Sequence, residues 1–319
     1  AADMTARLGI FSDMVVFSTY AMQIIMAFTT LSMMFIMLPR VLVSARRINE
    51  VLDTDVHMKN GTATQGMDGQ TGCVEFRDVC FRYPEAGEDV LHHISFTAGR
   101  GETVAIIGAT ASGKSSLVNL ISRFYDTASG KVLVDGKDVR DYDSAALREK
   151  IGYVSQRAVL FSGTVASNVS YGNGNCEEAA ISDAIDTAQG TEFVSKMSGD
   201  IHASIAQGGT NVSGGQKQRL SIARAIARKP EIYIFDDSFS ALDYKTDRAL
   251  RKALNARTKG ATKIIVAQRI GTIRDADKII VLEDGRVAGI GKHDELMRSC
   301  PVYQEIAYSQ LSKEELSYA

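Results

Sequence analysis

The sequence has few of the residues that stabilise small disulfide-bonded or zinc-binding domains. Its four cysteines, Cys73, Cys80, Cys176 and Cys300, form no CxxC pair and have no adjacent histidine. We therefore expect neither a disulfide framework nor a zinc site. No excess of one charge is present either, because 36 Lys and Arg residues balance 38 Asp and Glu residues. That balance favours neither nucleic acid nor an acidic partner.

Charged residues are missing altogether from Met14 to Leu38, where Met, Ile, Phe, Leu and Val dominate. A helix of about 25 residues is about 37 Å long, enough to cross a bilayer core with some tilt. Arg40, Arg46 and Arg47 follow, which predicts that this end faces the cytoplasm. The run is too long for a signal peptide, and its basic residues lie on the wrong side. We predict one membrane crossing, with a buried core helix as the alternative.

The composition divides the chain into three parts. Residues 1–56 hold the membrane run and a helix that continues from Val41 to Asp53 at helical apolar spacing. Residues 57–72 are polar and glycine-rich, which predicts a linker. Residues 73–319 alternate short apolar strands with helices, which predicts a parallel α/β core. The chain begins at Ala1 rather than at methionine, which indicates a fragment or a processed product.

Apolar runs bounded by turn residues predict individual elements of residues 73–319. The predicted strands are Cys73–Tyr83, half-exposed and antiparallel, then Thr103–Ile107, Ile232–Phe235, Lys263–Val266 and Lys278–Leu282. The predicted helices are Lys114–Phe124 and Leu220–Arg228. We expect solvated side chains at His92, His93, His202 and His293, and a solvated helix face at residues 313–316.

A glycine-containing loop lies between a predicted strand and a predicted helix. Residues 108–115 are Gly-Ala-Thr-Ala-Ser-Gly-Lys-Ser, the pattern G-x(4)-G-K-[ST]. Backbone N–H groups of such a loop converge on an anion, and the helix N-terminus adds a favourable dipole. We expect Lys114 to reach the β- and γ-phosphates of ATP, and Ser115 to bind Mg²⁺. The predicted phosphate-binding residues are Gly108, Ala109, Thr110, Ala111, Ser112, Gly113, Lys114, Ser115 and Ser116.

A second motif is the apolar strand Ile232–Phe235, which ends in Asp236 and Asp237. Asp236 occupies the position at which a Walker B aspartate holds a metal through water. Two aspartates after a strand are weak evidence alone, because ordinary turns also favour aspartate. Their position downstream of the phosphate-binding loop strengthens the prediction.

Residues 211–219 are Asn-Val-Ser-Gly-Gly-Gln-Lys-Gln-Arg and precede a helical run. They resemble the LSGGQ signature of the ABC ATPase family. From about Cys73 to its end, the chain is similar to this family, with the motifs in the same order. The resemblance implies that Tyr83 stacks on adenine. It also implies that the signature and a D-loop, residues 240–243 (Ser-Ala-Leu-Asp), reach nucleotide. The further implied nucleotide-binding residues are Tyr83, Ser213, Gly214, Gly215, Gln216, Asp236 and Asp243. The implied metal ligands are Ser115, Gln156 and Asp236, and the implied catalytic residues are Gln156, Asp237 and Gln268.

The membrane run and Ser44–Leu52 resemble the last membrane helix of an exporter-type half-transporter. The implied fold is an α/β P-loop NTPase with a RecA-like parallel sheet core, an antiparallel β subdomain and a helical signature subdomain, preceded by a transmembrane helix. In the family, two such domains meet head to tail around two ATP molecules. The resemblance implies a multi-pass protein of the cell membrane, with its nucleotide-binding domain in the cytoplasm. It also implies contact with membrane lipid, an exported drug, lipid or peptide, and no nucleic acid.

Three positions depart from the family pattern. Asp237 replaces the usual glutamate base and is about 1.5 Å shorter. Gln268 replaces the switch histidine, and its amide carries no positive charge. Ala111 replaces a common glycine, and we expect its methyl group to be harmless.

The first two departures, with an intact signature, resemble the degenerate half of a bacterial heterodimeric exporter. Such a half binds ATP but hydrolyses it poorly, and its signature completes its partner's site. The alternatives are a homodimer with slow hydrolysis, a regulatory ATP-binding subunit, and a non-transport ATP switch of the same family. The membrane run disfavours the last of these.

Overall fold

The computed structural model describes residues 2–54, 58–174 and 176–310. The chain divides into two compact units, residues 1–57 and residues 58–319.

The first unit is a single helix, α1 (Ala2–Leu52), which continues through Pro39. Proline has no amide hydrogen, so one hydrogen bond of the helix is missing at Pro39. Thr19, Thr29 and Thr30 donate their hydroxyls to the carbonyls four residues earlier, which pairs these polar groups within the helix. Among the described residues, one helix is long and apolar enough to cross a membrane, judged by length and composition.

The second unit combines strands and helices in alternation. Its strands are β1 (Val74–Phe81), β2 (Leu91–Ala98), β3 (Thr103–Gly108), β4 (Ser129–Val134), β5 (Lys137–Asp138), β6 (Ile151–Val154), β7 (Gly163–Thr164), β8 (Ser204–Ile205), β9 (Ile232–Asp236), β10 (Thr262–Val266), β11 (Lys278–Glu283) and β12 (Arg286–Gly291). Its helices are α2 (Lys114–Ile121), α3 (Ser144–Glu149), α4 (Val165–Val169), α5 (Glu178–Thr187), α6 (Thr191–Val194), α7 (Gly214–Ala227), α8 (Tyr244–Arg257), α9 (Ile270–Ile273), α10 (His293–Ser299) and α11 (Pro301–Gln310).

Six strands form the central sheet, in the order β12-β11-β3-β10-β9-β6. Neighbouring strands are parallel, except that β12 pairs with β11 in the antiparallel sense. Strands β9 and β10 are buried along their whole length, as expected for parallel strands covered on both faces. The predicted parallel α/β core is confirmed, and its four predicted strands are observed.

The two faces of the central sheet are covered by different layers. Val104 and Ile106 of β3 belong to a core shared with α2 and with an antiparallel sheet of order β2-β1-β4-β5. Ala105 and Ile107 belong to a second core shared with helices α5, α7, α8 and α11. Side chains alternate between the faces of a strand, so β3 contributes to both cores. The antiparallel β layer and the helical layer agree with the predicted fold class.

Helix α7 begins earlier than the sequence indicated, at Gly214 rather than at Leu220. Two glycines lower the helix propensity of its first turn. A capping box offsets this cost, because the Ser213 N–H donates to the Gln216 side chain at 2.9 Å and the Gln216 N–H donates to the Ser213 hydroxyl at 3.4 Å. Helix α2 ends earlier than predicted, at Ile121, because Arg123 adopts a left-handed φ of 50°.

Residues 57–72, predicted as a linker, are described from residue 58 onward. The Gly61 and Thr62 amides donate to the carbonyls of Tyr142 and Asp141 at 3.0 and 3.1 Å. The Gly72 amide donates to the Asp135 carboxylate at 2.6 Å. This segment therefore follows the surface of the second unit, held by its backbone.

One of the histidines predicted to be solvated is buried, so that prediction is wrong for His293. Its side chain lies between α10 and α11, where its Nδ1 is 2.8 Å from the hydroxyl of the fully buried Tyr303. Burial lowers the pKa of His293, and the nearby Arg274 adds to the effect. The prediction failed because the sequence shows no ligand-like neighbour for His293 and does not reveal that it packs against a tyrosine ten positions later. His92 is half-buried, His93 and His202 are exposed, and residues 313–316 lie outside the described residues.

We expect the buried His293 to make folding weaker in acid. Below its usual pKa of about 6.5, the unfolded chain binds a proton here that the folded chain resists, so stability is present above pH 6.5 and is lost as pH falls. Urea unfolding of the whole chain in detergent, at about pH 7.5 and 5.5, should show that the wild type loses more stability on acidification than His293→Gln does. Glutamine cannot titrate but can still bond Tyr303. Equal losses in the two proteins would contradict this assignment.

The turn between β3 and α2 holds an alanine in the left-handed region. Ala111 has a φ of 65°, and the next glycine, Gly113, has a φ of 94°. The Ala111 side chain is exposed, so its methyl group has room. The cost lies in the backbone, because a Cβ atom is disfavoured in this region by about 1–2 kcal/mol.

We therefore expect Ala111→Gly to raise the free energy of unfolding by about 0.5–1 kcal/mol, after allowance for the greater freedom of glycine in the unfolded chain. The urea midpoint measures this change. Ala109→Gly is the matched control, since Ala109 is exposed in the same turn and is not among the residues with positive φ. An equal shift in both variants, or a loss of stability in Ala111→Gly, would refute the expectation.

Candidate functional site

The candidate site lies where the carboxyl ends of four parallel strands meet. In the register of the central sheet, Val266 of β10 is opposite both Ile106 of β3 and Asp236 of β9, and Val154 of β6 is opposite Phe235. The residues that follow these strands therefore share one edge of the sheet. This edge is where open parallel sheets bind ligands.

The loop after β3 is built around Lys114. The Lys114 Nζ donates to the carbonyls of Gly108 and Ala109 at 2.9 and 2.6 Å and lies 3.3 Å from the Ser112 hydroxyl. Helix α2 begins at this lysine, so its unpaired N–H groups point into the loop. Burial lowers the Lys114 pKa, while Asp237 and Asp236 oppose that change. A cationic side chain, backbone amides and a helix N-terminus together fit a phosphate chain.

Glycine is required at the end of this loop. A side-chain Cβ atom at Gly113 would lie 2.6 Å from Leu91 of β2, in addition to the strain of its positive φ. The loop residues Ala109 and Thr110 are exposed beside it, whereas Ser112 is buried.

Two predicted metal ligands are brought together at the base of the loop. The Ser115 hydroxyl donates to Asp236 Oδ1 at 3.1 Å. Burial raises the pKa of Asp236, and the hydroxyls of Ser115 and Tyr153 oppose this rise. A hydroxyl and a buried carboxylate form an oxygen-only donor set, which fits Mg²⁺ completed by water and phosphate oxygens. In the parts of the chain that the structure describes, no group of three or more His, Cys, Asp or Glu side chains could hold a metal.

The two unusual positions, Asp237 and Gln268, are in direct contact. The Gln268 Nε2 donates to Asp237 Oδ2 at 2.8 Å, and the Gln156 Nε2 donates to the same oxygen at 3.1 Å. Only the amide nitrogens can donate to an ionised carboxylate, so the orientation of both amides is fixed. Burial raises the pKa of Asp237, while its hydrogen bond with Gln156 lowers it. The three predicted catalytic residues therefore form one cluster.

Tyr83 contacts the start of α2. Its hydroxyl lies 2.8 Å from the Ser116 hydroxyl. Its ring is packed edge-on against Phe81 and Tyr125, with ring centroids 4.8 and 5.0 Å away. Tyr83 is half-buried, so part of the ring is accessible beside the phosphate-binding loop.

Ser213 and Gln216 of the signature bond each other through the capping box. Ser213 and Gly214 are exposed, and Gly215 and Gln216 are half-buried. A side chain at Gly215 would lie 3.3 Å from the Ala241 carbonyl oxygen of the D-loop. Asp243 caps α8 by accepting the Thr246 amide at 3.0 Å. For Asp243 and for the signature, a role in nucleotide binding stays a prediction.

Sequence reasoning missed Tyr153 of β6. Its hydroxyl lies 3.3 Å from Asp236 Oδ2 and 3.2 Å from Asn119 Oδ1 of α2, so it contacts the predicted metal ligand. The available signal was a tyrosine within a short apolar strand, whose buried hydroxyl needs a polar partner. That signal did not identify which partner.

Comparisons with known proteins point to one family. Residues 91–240 match the family model for ABC transporters. An uncharacterised ABC transporter ATP-binding protein of Mycobacterium tuberculosis is 46% identical over 302 residues, covering 93% of this chain and 52% of that protein. An ATP-dependent lipid A-core flippase of Vibrio vulnificus is 39% identical over 253 residues, covering 79% of this chain and 43% of the flippase.

A solved structure gives the same result. A bacterial Atm1-family ABC exporter with ATP bound superposes with a TM-score of 0.80 at 32% identity, covering 86% of this chain and 48% of the exporter chain. The chain spans about half the length of the curated relatives that it matches. From its fold, its strand-end site and these matches, the chain carries an ATP-binding domain of the ABC transporter family.

Proposed function

We propose that this chain is the motor part and last membrane helix of an exporter-type ABC half-transporter. Two half-transporters pair head to tail in the cell membrane, ATP binding closes the pair of cytoplasmic domains, and hydrolysis releases it. The exported substrate is a drug, a lipid or a peptide. The likeness to a lipid A-core flippase and to an Atm1-family exporter supports this function.

The surface of α1 supports the membrane assignment. Large apolar side chains are exposed on different faces of the helix, including Met26, Phe28 and Met34 at 67%, 67% and 64%. A core helix of a soluble protein would be mostly buried. In contrast, no residue in the most apolar stretch of α1 is buried. Apolar surface of this extent needs cover, which lipid and further membrane helices supply.

The strand-end site supports binding of Mg²⁺ with ATP. Ser115 and Asp236 would hold the metal, with Gln156 beside them, and Lys114 would contact the β- and γ-phosphates. When bound, Mg²⁺ neutralises charge on the phosphate oxygens. The raised pKa values of Asp236 and Asp237 reflect two buried carboxylates, an environment that a nearby cation would relieve.

We further propose that this site binds ATP but hydrolyses it slowly. The contact between Asp237 and the two glutamine amides carries the proposal. A general base must accept a proton from water, but two N–H donors already occupy Oδ2 of Asp237, so this oxygen is less available to a water molecule. The carboxylate is also about one bond short, and misplacement by about 1 Å can cost on the order of 100-fold in rate.

The exposed signature supports a role in a partner's site. Ser213, Gly214 and the amides of the first turn of α7 lie at the N-terminus of a 14-residue helix, a suitable end for the γ-phosphate of ATP held by another subunit. A partner with a glutamate base and a histidine switch would hydrolyse that ATP. The heterodimer therefore uses this chain for tight binding at one site and for completion of the other.

A homodimer in which Asp237 works as a base is the second candidate. Burial raises the Asp237 pKa, which favours proton acceptance nearer neutral pH. The residue also adopts a φ of 47°, a conformation that aspartate tolerates better than most residues. In this candidate, aspartate at this position accommodates the positive φ of the backbone and still acts as the base.

The double change Asp237→Glu with Gln268→His separates these candidates. We expect slow ATP turnover by the unaltered chain alone and at least tenfold faster turnover by the double variant, because a longer base and a titratable switch are then present. Phosphate release by the purified chain in detergent is the measurement. Adding Lys114→Ala to the double variant should abolish the gain. Rapid turnover by the unaltered chain without a partner would reject the heterodimer proposal.

A further inference from the structure

The last residue of α11 contacts the backbone beside Gln268. The Gln310 Nε2 donates to the Gln268 carbonyl at 2.7 Å, and the Gln310 Oε1 accepts the Ile270 amide at 2.9 Å. One carboxamide thus binds two backbone groups: its nitrogen donates to a carbonyl, and its oxygen accepts from an N–H. Because a carbonyl can only accept and an N–H can only donate, the orientation of the Gln310 amide is fixed.

The switch segment, residues 267–270, is held from three directions. The Ala267 amide donates to the Ile106 carbonyl of β3 at 3.1 Å, which fixes the start of the segment to the central sheet. The Arg269 guanidinium donates to the Ser240 carbonyl of the D-loop at 3.2 Å. Gln310 supplies the third attachment, at the peptide group of Gln268 itself.

Helix α11 gives Gln310 a fixed base. Tyr303 and Ala307 are fully buried in the core on the helical face of the central sheet, and Tyr303 is bonded to His293 of α10. Buried side chains at this helical spacing fix both the rotation and the height of the helix. The Gln310 amide is therefore placed relative to β3 and β11, the strands against which α11 packs.

We propose that Gln310 is a positioning residue for the switch, and that it sets the direction in which the Gln268 side chain points. By fixing the Gln268 peptide group, it keeps the Gln268 amide within hydrogen-bond distance of Asp237. It acts through the backbone and does not touch the reacting atoms. The consequence for hydrolysis rests on the function proposed above, whereas the consequence for the backbone does not.

Three variants separate this role from general packing. Gln310→Met keeps the length of the side chain but removes both hydrogen bonds. Gln310→Glu keeps an acceptor for the Ile270 amide but no longer donates to the Gln268 carbonyl. Ser309→Ala is the matched control, because Ser309 is exposed at the same end of α11. Within the described part of the chain, its side chain bonds only the Ile306 carbonyl of the same helix.

Hydrogen exchange of the whole chain is the first measurement, followed on peptides that contain Ile270. We expect the Ile270 amide to exchange at least tenfold faster in Gln310→Met and to stay protected in Gln310→Glu and Ser309→Ala. The second measurement is ATP turnover in the Asp237→Glu, Gln268→His background, where residue 268 is a histidine whose position depends on the same peptide group. Turnover should fall about tenfold in Gln310→Met and several-fold in Gln310→Glu, with the ATP dissociation constant unchanged.

Unchanged exchange or unchanged turnover in Gln310→Met would overturn the proposal. So would a matching loss of ATP affinity, since a general structural role would weaken binding as well. Rapid turnover by the native chain alone would reject the degenerate site instead, and the comparison of Gln310→Met with Ser309→Ala would still decide the role of Gln310.

Discussion

The parallel pairing of β3, β10, β9 and β6 is the constraint on which the site depends. Each strand ends at the same edge of the sheet, so the four segments that follow them converge although they are far apart in sequence. A shift of one residue in any pair would turn the strand's side chains to the opposite face and exchange the two cores. The fully buried β9 and β10 make such a shift costly.

The two departures from the family pattern become one feature at this edge. Asp237 and Gln268 follow neighbouring strands, and their side chains bond each other directly. Gln156, after β6, completes the cluster from the other side of β9. A short acidic residue with amide donors around it suits a site that retains ATP, whereas fast hydrolysis requires a base free to accept a proton. Lys114 and Asp236, the residues proposed to bind phosphate and metal, contact the Gly108 carbonyl and the Ser115 hydroxyl respectively.

Much of this could be predicted from the sequence, because the informative motifs are local. Each of three features can be recognised within a short window of residues: the loop around Lys114, the apolar strand before Asp236 and the membrane run. Four of the six strands of the central sheet, β3, β9, β10 and β11, were predicted for the same reason, whereas β6 and β12 were not. The start of α7 was not predicted, because a capping box between Ser213 and Gln216 offsets the low helix propensity of two glycines. The contacts of Tyr153, His293 and Gln310 depend on tertiary packing, so no local pattern of residues reveals them.

We propose that the chain's own site retains ATP instead of hydrolysing it. The most direct test is to incubate the purified chain with Mg²⁺ and radiolabelled ATP, remove free nucleotide, and identify the nucleotide that stays bound over several hours. We expect the bound nucleotide to be recovered mainly as ATP. Recovery mainly as ADP, from a chain with no partner present, would contradict it.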